Sequence, residues 1–307
     1  MGQLSFVFPG QGSQQPGMGR ALYEQSAAAR AVLDRAEALM PGLLATCFEG
    51  PMDALTQTAT AQPALFAVGL ATAMAAEEAG LRPQAVAGFS LGEWTAICYA
   101  GMLDFDTAFH LVRQRGQWMQ QRAQHSPGGM AAVLRISPEE LSRLLEDFPN
   151  VWPVNYNTPE QTVVAACQED LEAFLEAMKA RGVRCLRLNL AGAFHSPLMA
   201  PVQKQLLDAL APHSLRAPSL PVYSNVTGQP YRMDSAREDL ARQVSSPVQW
   251  TSCLRHMHQA GFDTFLESGP GRVLSGLVVK TLPLARALQA EDVEGLRLAR
   301  EQIGACW

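Results

Sequence analysis

Charge is scarce in this sequence. Asp, Glu, Lys and Arg make up 17% of its 307 residues, and 24 basic against 29 acidic side chains leave a net charge of −5. A protein that binds nucleic acid through phosphate contacts needs a basic surface, so no nucleic-acid partner is expected. The six cysteines, Cys47, Cys98, Cys167, Cys185, Cys253 and Cys306, form no C-x-x-C pair and have no histidine at finger spacing. That argues against a structural zinc site or a disulfide framework, and for reduced thiols. Long hydrophobic runs are missing too: the longest nearly apolar stretch, 64–76, is too short to span a bilayer and is closed by Glu77 and Glu78, so a buried helix is expected and no membrane. Residues 1–10 have neither a basic n-region nor a cleavage site, and Phe6 stands where a myristoylation signal needs Ser or Thr. Neither secretion nor a lipid anchor is expected, and the expected compartment is the cytoplasm. No internal repeat or low-complexity tract is visible. What the chain has in quantity is apolar side chains, 48% of the total, enough for a sizeable core and too many for disorder.

Residues 4–8 form a β-rich run ended by Pro9-Gly10, the pattern of a buried strand feeding a glycine-rich loop. Helical patterns follow over 18–39 and 62–78, then a short strand over 85–88, a helix from about 91 to Gly101 and another over 105–122. Alternating strands and helices imply a parallel sheet covered on both sides. Between His125 and His195 the order changes to strand (130–135), helix (138–146), strands (151–155 and 162–166), helix (169–181) and strand (183–190). This β-α-β-β-α-β order is ferredoxin-like. Residues 220–224 and 263–267 supply further strands of the large sheet. The expected fold class is α/β: a large domain built from 1–125 and 196–307, with a ferredoxin-like insert at 126–195.

Gly88-Phe89-Ser90-Leu91-Gly92 is a G-x-S-x-G between an expected strand and an expected helix. A tight strand-to-helix turn there holds the serine hydroxyl outward, and the flanking glycines let the turn close. Chance yields on the order of 0.1 such motifs in a chain of this composition. The competing reading is a small-residue helix start with a capping serine. A nucleophilic Ser90 needs a base. Of the six histidines, His110 falls on a polar helix face, His256 and His258 point in different directions, and His125 and His213 lie in featureless polar segments. His195 follows an expected strand where the insert rejoins the large domain, and clefts form at domain junctions. A loop histidine with a structural hydrogen bond is the alternative there.

The loop at 8–14, F-P-G-Q-G-S-Q, invites a phosphate-binding reading that fails in detail. The dinucleotide pattern needs glycine where Gln15 stands, and the Walker pattern needs lysine where Met18 stands. Such a loop can instead offer the backbone N–H of Gln11 to an oxyanion, opposite the N–H of Leu91. Arg115 sits on an apolar helix face among Leu111, Val112, Trp118 and Met119. A guanidinium there needs a partner. Two readings stand, a structural ion pair and a bidentate fork for a substrate carboxylate.

With these residues go Gln62-Pro63-Ala64, G-F-S-L-G-E at 88–93, Arg115-Gly116, N-Y-N-T-P-E-Q at 155–161, G-A-F-H-S-P at 192–197, S-N-V-T-G at 224–228, P-V-Q-W at 247–250 and E-S-G-P-G at 267–271. Nearly end to end and in order, these segments resemble the malonyl-CoA:acyl carrier protein transacylases. The resemblance implies an α/β-hydrolase-like large domain with a ferredoxin-like insert. It implies Ser90 as the acyl-carrying nucleophile, His195 as its base, the main-chain carbonyl of Gln249 as the group orienting the imidazole, and the N–H groups of Gln11 and Leu91 as the oxyanion hole. Arg115 would grip malonate, with Gln62, Asn155 and Phe194 also binding substrate. A bulky residue at Phe194 and an aliphatic one at Leu91 go, in that family, with unbranched malonyl. The implied partners are malonyl-CoA and holo acyl carrier protein, with no cofactor and no metal; a monomer is the default expectation for the chain. Two departures are visible: Phe89 replaces the usual histidine, and Ala165-Ala166 replaces a Ser-Gly. Both bear on the pantetheine channel and leave every implied catalytic group in place. An acyl hydrolase on the same scaffold and a catalytically idle subunit of a larger synthase are the rival expectations, and the fatty-acid or polyketide origin of the carrier is left open.

Overall fold

The computed structural model describes residues 3–190 and 192–304. Nine strands are found among them: β1 (Gln3–Phe8), β2 (Ala85–Gly88), β3 (Gly128–Leu134), β4 (Trp152–Thr158), β5 (Gln161–Cys167), β6 (Arg184–Arg187), β7 (Val222–Tyr223), β8 (Phe262–Ser268) and β9 (Arg286–Ala290). Five of them make a parallel sheet in the order β7-β2-β1-β8-β9. Helices cover both faces, so its central strands read as continuous apolar runs. In β1, Phe6 and Phe8 enter one core and Val7 enters the other, against Ala85, Ala87 and Trp250. The other four strands make an antiparallel sheet, β4-β5-β3-β6, with the Pro138–Leu145 and Gln168–Ala180 helices in the connections. That is the strand order of a ferredoxin-like unit, and the chain is α/β as expected.

The helix from Thr58 to Glu78 runs through the larger core. It is long and apolar enough to match a membrane span by composition, yet 83% of that stretch is buried inside the protein. It begins upstream of the expected start, with Pro63 inside it. Phe66 packs on Phe105 and Phe109 of the Phe105–His125 helix. At Gly116 that helix presses against the first turn of its neighbour, and a Cβ would lie 2.9 Å from the Thr58 carbonyl oxygen. This close approach sets Arg115 beside Gln62.

Elsewhere the boundaries shift for identifiable reasons. The helical pattern over 18–39 divides into Arg20–Gln25 and Ala27–Leu39 because Ser26 is extended and its hydroxyl caps the second helix at the Ala29 N–H. The last strand of the smaller sheet covers only Arg184–Arg187 of the expected 183–190, and its contact with β3 ends on one further bond, from the Leu188 N–H to the Met130 carbonyl. β9 and the Val293–Gly304 helix have no counterpart in the sequence reading. Arg286–Ala290 is short, contains two alanines and leaves Gln289 exposed, so its alternation is weak and only pairing with β8 defines it.

Candidate active site

β2 ends at Gly88, and the Leu91–Tyr99 helix starts three residues later. Ser90, between them, has φ 52° and ψ −99°, a strained conformation for a residue with a Cβ. The turn is that tight because its glycines allow it. A Cβ on Gly88 would lie 1.9 Å from the Gly92 carbonyl carbon, and one on Gly92 would lie 2.0 Å from the Phe8 carbonyl oxygen. Gly10, two residues past β1, also comes too close for a side chain, with a Cβ there 2.5 Å from the Phe89 oxygen. The loop bearing Gln11 is thereby held against the serine turn.

The Ser90 hydroxyl lies 2.7 Å from His195 Nε2. His195 is 3% exposed and its φ is 62°. Its Nδ1 lies 2.8 Å from the carbonyl oxygen of Gln243. A carbonyl only accepts, so Nδ1 carries the proton and Nε2 is free to accept from the serine. Burial, with the nearby Arg115 charge, pulls the imidazole down to about 4, so at neutral pH it is unprotonated and able to accept a proton. The orienting carbonyl belongs to Gln243, and the expectation for Gln249 is corrected. Gln249 caps the Trp250–Gln259 helix, its carbonyl accepting the Cys253 N–H at 2.9 Å and its own N–H donating to Asn225. That oxygen is committed to the helix. Gln243 stands on a short 3₁₀ turn, Gln243–Ser245, whose second residue, Val244, accepts the His195 N–H at its carbonyl.

Arg115 is 1% exposed. One guanidinium nitrogen donates to Gln62 Oε1 at 2.7 Å; the other donates to Gln243 Oε1 at 3.0 Å and to the Ser90 hydroxyl at 3.1 Å. Its Nε has no partner among the described residues. The reading of Arg115 as half of a structural ion pair finds no support, because its partners are neutral oxygens. Burial brings its affinity for protons down to about 10, against the pull of the Glu93 carboxylate. It stays charged.

Ser90, His195 and Arg115 open into a cavity of about 250 Å³ between the two sheets. Gln11, Gln62 and Leu91 line it on the side of the large sheet, and Asn155 and Phe194 on the other. Gln249 is not part of the lining. The Ser90 carbonyl accepts from Gln243 Nε2 at 2.6 Å and from the Glu93 N–H at 3.2 Å. The peptide is trans, so the Leu91 N–H points the opposite way. Asn155 and its neighbour Asn157 on β4 are buried, and the Oδ1 of each lacks a hydrogen-bond partner among the described residues. A serine hydroxyl, a neutral imidazole hydrogen-bonded to it and a buried cation together suit acyl transfer through a serine ester, on an acyl group that carries a negative charge.

Sequence reasoning overlooked Gln243, Glu93, Asn225 and Asn157. Glu93, Asn157 and Asn225 stand inside quoted motifs, visible but without assigned roles. Gln243 lies outside them, six residues from the glutamine chosen in its place.

The acyl transferase domain family matches residues 5–302, and the chain belongs to it. It is an enzyme of the transacylase kind. It is 37% identical over 306 residues to the malonyl CoA-acyl carrier protein transacylase of Bacillus subtilis strain 168, covering 97% of this chain and 96% of the relative. The Escherichia coli K12 protein of the same name is 35% identical, over 98% of this chain and 100% of that one. A polyketide biosynthesis protein of Burkholderia thailandensis is 37% identical over 98% of this chain but only 26% of its own length. Among solved structures, the malonyl CoA-acyl carrier protein transacylase from Clostridium perfringens superposes with a TM-score of 0.95 at 32% identity, over 99% of this chain and 98% of that one. A malonyl-transacylase in complex with its type II polyketide synthase acyl-carrier protein superposes at 0.93, with 33% identity over 98% and 99%.

Proposed function

We propose that the protein moves a malonyl group from coenzyme A to the phosphopantetheine thiol of holo acyl carrier protein, by a ping-pong route through malonyl-Ser90. The observation that carries this reading is Arg115, a buried cation hydrogen-bonded to the nucleophile and held by neutral amides. It is a ready partner for the free carboxylate of malonate. His195 takes the Ser90 proton as the oxygen attacks the thioester, and the Gln243 carbonyl stabilises the imidazolium that results. Gln11 and Leu91 donate to the oxyanion. The intermediate collapses, the carbon–sulfur bond breaks and His195 protonates the departing coenzyme A sulfur. The carrier thiol then gives its proton to His195, attacks the malonyl ester and regenerates Ser90. The unpaired oxygens of Asn155 and Asn157 suit the amide N–H groups of a pantetheine arm, and Gln62 braces Arg115. The proposal includes the division at 126–195, the monomeric state and the cytoplasmic location expected from the sequence. It is supported by relatives named for this activity and by the carrier complex formed by one of them.

The test is incubation with malonyl-CoA, with and without holo carrier protein, followed by mass measurement of enzyme and carrier and assay of free malonate. A malonylated enzyme that passes its load to the carrier is expected. Free malonate without a loaded carrier would mean a hydrolase, and no adduct at all an idle subunit.

A further inference from the structure

Ser90 is held on both of its peptide groups by side chains that never touch the reacting atoms. On one side, Asn225 Oδ1 accepts the Ser90 N–H at 2.7 Å while Asn225 Nδ2 donates to the Gly88 carbonyl at 2.7 Å. On the other, Gln243 Nε2 donates to the Ser90 carbonyl. Both holders converge on one carboxylate. Glu93, in the first turn of the helix that follows Ser90, has no exposed surface. Its Oε1 accepts the Asn225 backbone N–H at 2.8 Å and the Tyr231 hydroxyl at 2.8 Å, and its Oε2 accepts from Gln243 Nε2. An ionised carboxylate only accepts. Together with Arg115, which only donates, Glu93 therefore fixes the Gln243 amide, its NH₂ toward Glu93 and the Ser90 carbonyl and its Oε1 toward Arg115.

We infer that Glu93 is a positioning residue for acyl transfer, its ionised carboxylate acting through Asn225 and Gln243 to hold the Ser90 peptide groups and to aim the Leu91 N–H at the oxyanion. This rests on the reading of Ser90 as the acyl-carrying nucleophile. A protonated Glu93 offers a donor of its own. Gln243 can then reverse its amide, which sets NH₂ against the Arg115 guanidinium and leaves the Ser90 carbonyl only the Glu93 N–H at 3.2 Å. Burial pushes Glu93 up to about 7, against the hydrogen bonds it accepts and the charge of Arg115. The other titratable groups around it are Tyr231 and, on the Trp250–Gln259 helix, Cys253, both raised by burial and by Glu93 itself. Asp239 lies beyond Tyr231 and pairs with Arg242. His195, held at about 4, does not titrate near neutrality. Acylation should therefore rise with pH as Glu93 ionises and then level off.

The experiment follows acylation of Ser90 by rapid quench and intact mass across the neutral pH range, with malonyl-CoA and acetyl-CoA. Acetyl carries no charge, so a loss shared by both esters does not come from altered attraction between Arg115 and malonate. Glu93→Gln stands for the protonated state. It should slow acylation by both esters about 10- to 100-fold at the wild-type plateau, the scale expected when reacting groups are displaced by a fraction of an ångström to an ångström, and its rate should not respond to pH where the wild type rises. Tyr231→Phe removes a donor that favours ionised Glu93, so its pH limb should move upward; a purely structural role for Glu93 would leave the limb in place. A folded Glu93→Gln enzyme with wild-type rates, or an unmoved limb in Tyr231→Phe, overturns the inference. The second result decides even if Glu93→Gln does not fold. A wild type acylated by neither ester overturns the acyltransferase reading, and this inference with it.

Discussion

Replacing Arg115 by alanine should separate malonyl from acetyl transfer. In the wild type the guanidinium is 1% exposed and faces the cavity beside Ser90, so under the proposed function a malonate carboxylate would meet it without intervening solvent. Removing one partner of a desolvated, hydrogen-bonded charge pair costs about 2–5 kcal/mol. In kcat/KM for malonyl-CoA that is a loss of about 30-fold to several thousandfold. Acetyl presents a methyl group where malonyl presents its carboxylate. A buried cation facing a methyl has nothing to bind, so acetyl transfer should hold steady or improve. The substitution also strips a donor from Gln62 Oε1 and Gln243 Oε1, at about 1–3 kcal/mol of stability for each oxygen left dry. The assay is the rate of carrier loading from each ester, read by mass, with thermal unfolding measured alongside. Arg115→Lys keeps the charge but loses the fork, and should fall between the two. If both acyl groups suffer alike and in proportion to lost stability, Arg115 is a structural residue and the assignment of malonate fails.

Ser90→Ala should form no acyl adduct while melting near the wild-type temperature; an adduct on that variant, found by peptide mapping, would place the nucleophile elsewhere. His195→Ala should slow acylation by about 10²- to 10⁴-fold, the range for loss of general-base help, measured by stopped-time mass spectrometry. Gly92→Ala should fail to accumulate as folded protein, because its new Cβ would sit 2.0 Å from the Phe8 carbonyl oxygen; circular dichroism and soluble yield report this, and a stable, active variant would contradict the close packing of the turn. Phe194, 4% exposed and lining the cavity, should favour malonyl over methylmalonyl by about 1–3 kcal/mol, the worth of one methyl in a close-packed pocket. Phe194→Ser should narrow that margin in a competition of the two coenzyme A esters, and equal labelling of the wild type by both would remove Phe194 from the acyl pocket.

The sequence by itself determined what depends on near neighbours. The β1 run, the ferredoxin-like order of the middle segment and the G-x-S-x-G turn are all local patterns: side-chain alternation, helix periodicity, and glycines where a Cβ has no room. The serine and the arginine that the proposed mechanism uses stood out for the same reason, since a serine between those glycines and an arginine on an apolar helix face are anomalies within one turn of chain. Tertiary structure alone decided which carbonyl turns toward His195. Gln243 and Gln249 are both glutamines near the same motif, and a backbone oxygen leaves no mark in the side-chain pattern. The Gln243 carbonyl lies 2.8 Å from His195 Nδ1, while that of Gln249 starts a helix. Whether Arg115 meets a carboxylate or neutral amides was likewise unreadable, because Gln62 and Gln243 are 53 and 128 residues away from it in the chain. The same distance hides Glu93, whose partners Asn225, Tyr231 and Gln243 lie 132 to 150 residues further on. A buried carboxylate must find its donors wherever the fold delivers them, and that delivery is settled when the two sheets and their helices pack, not along the chain.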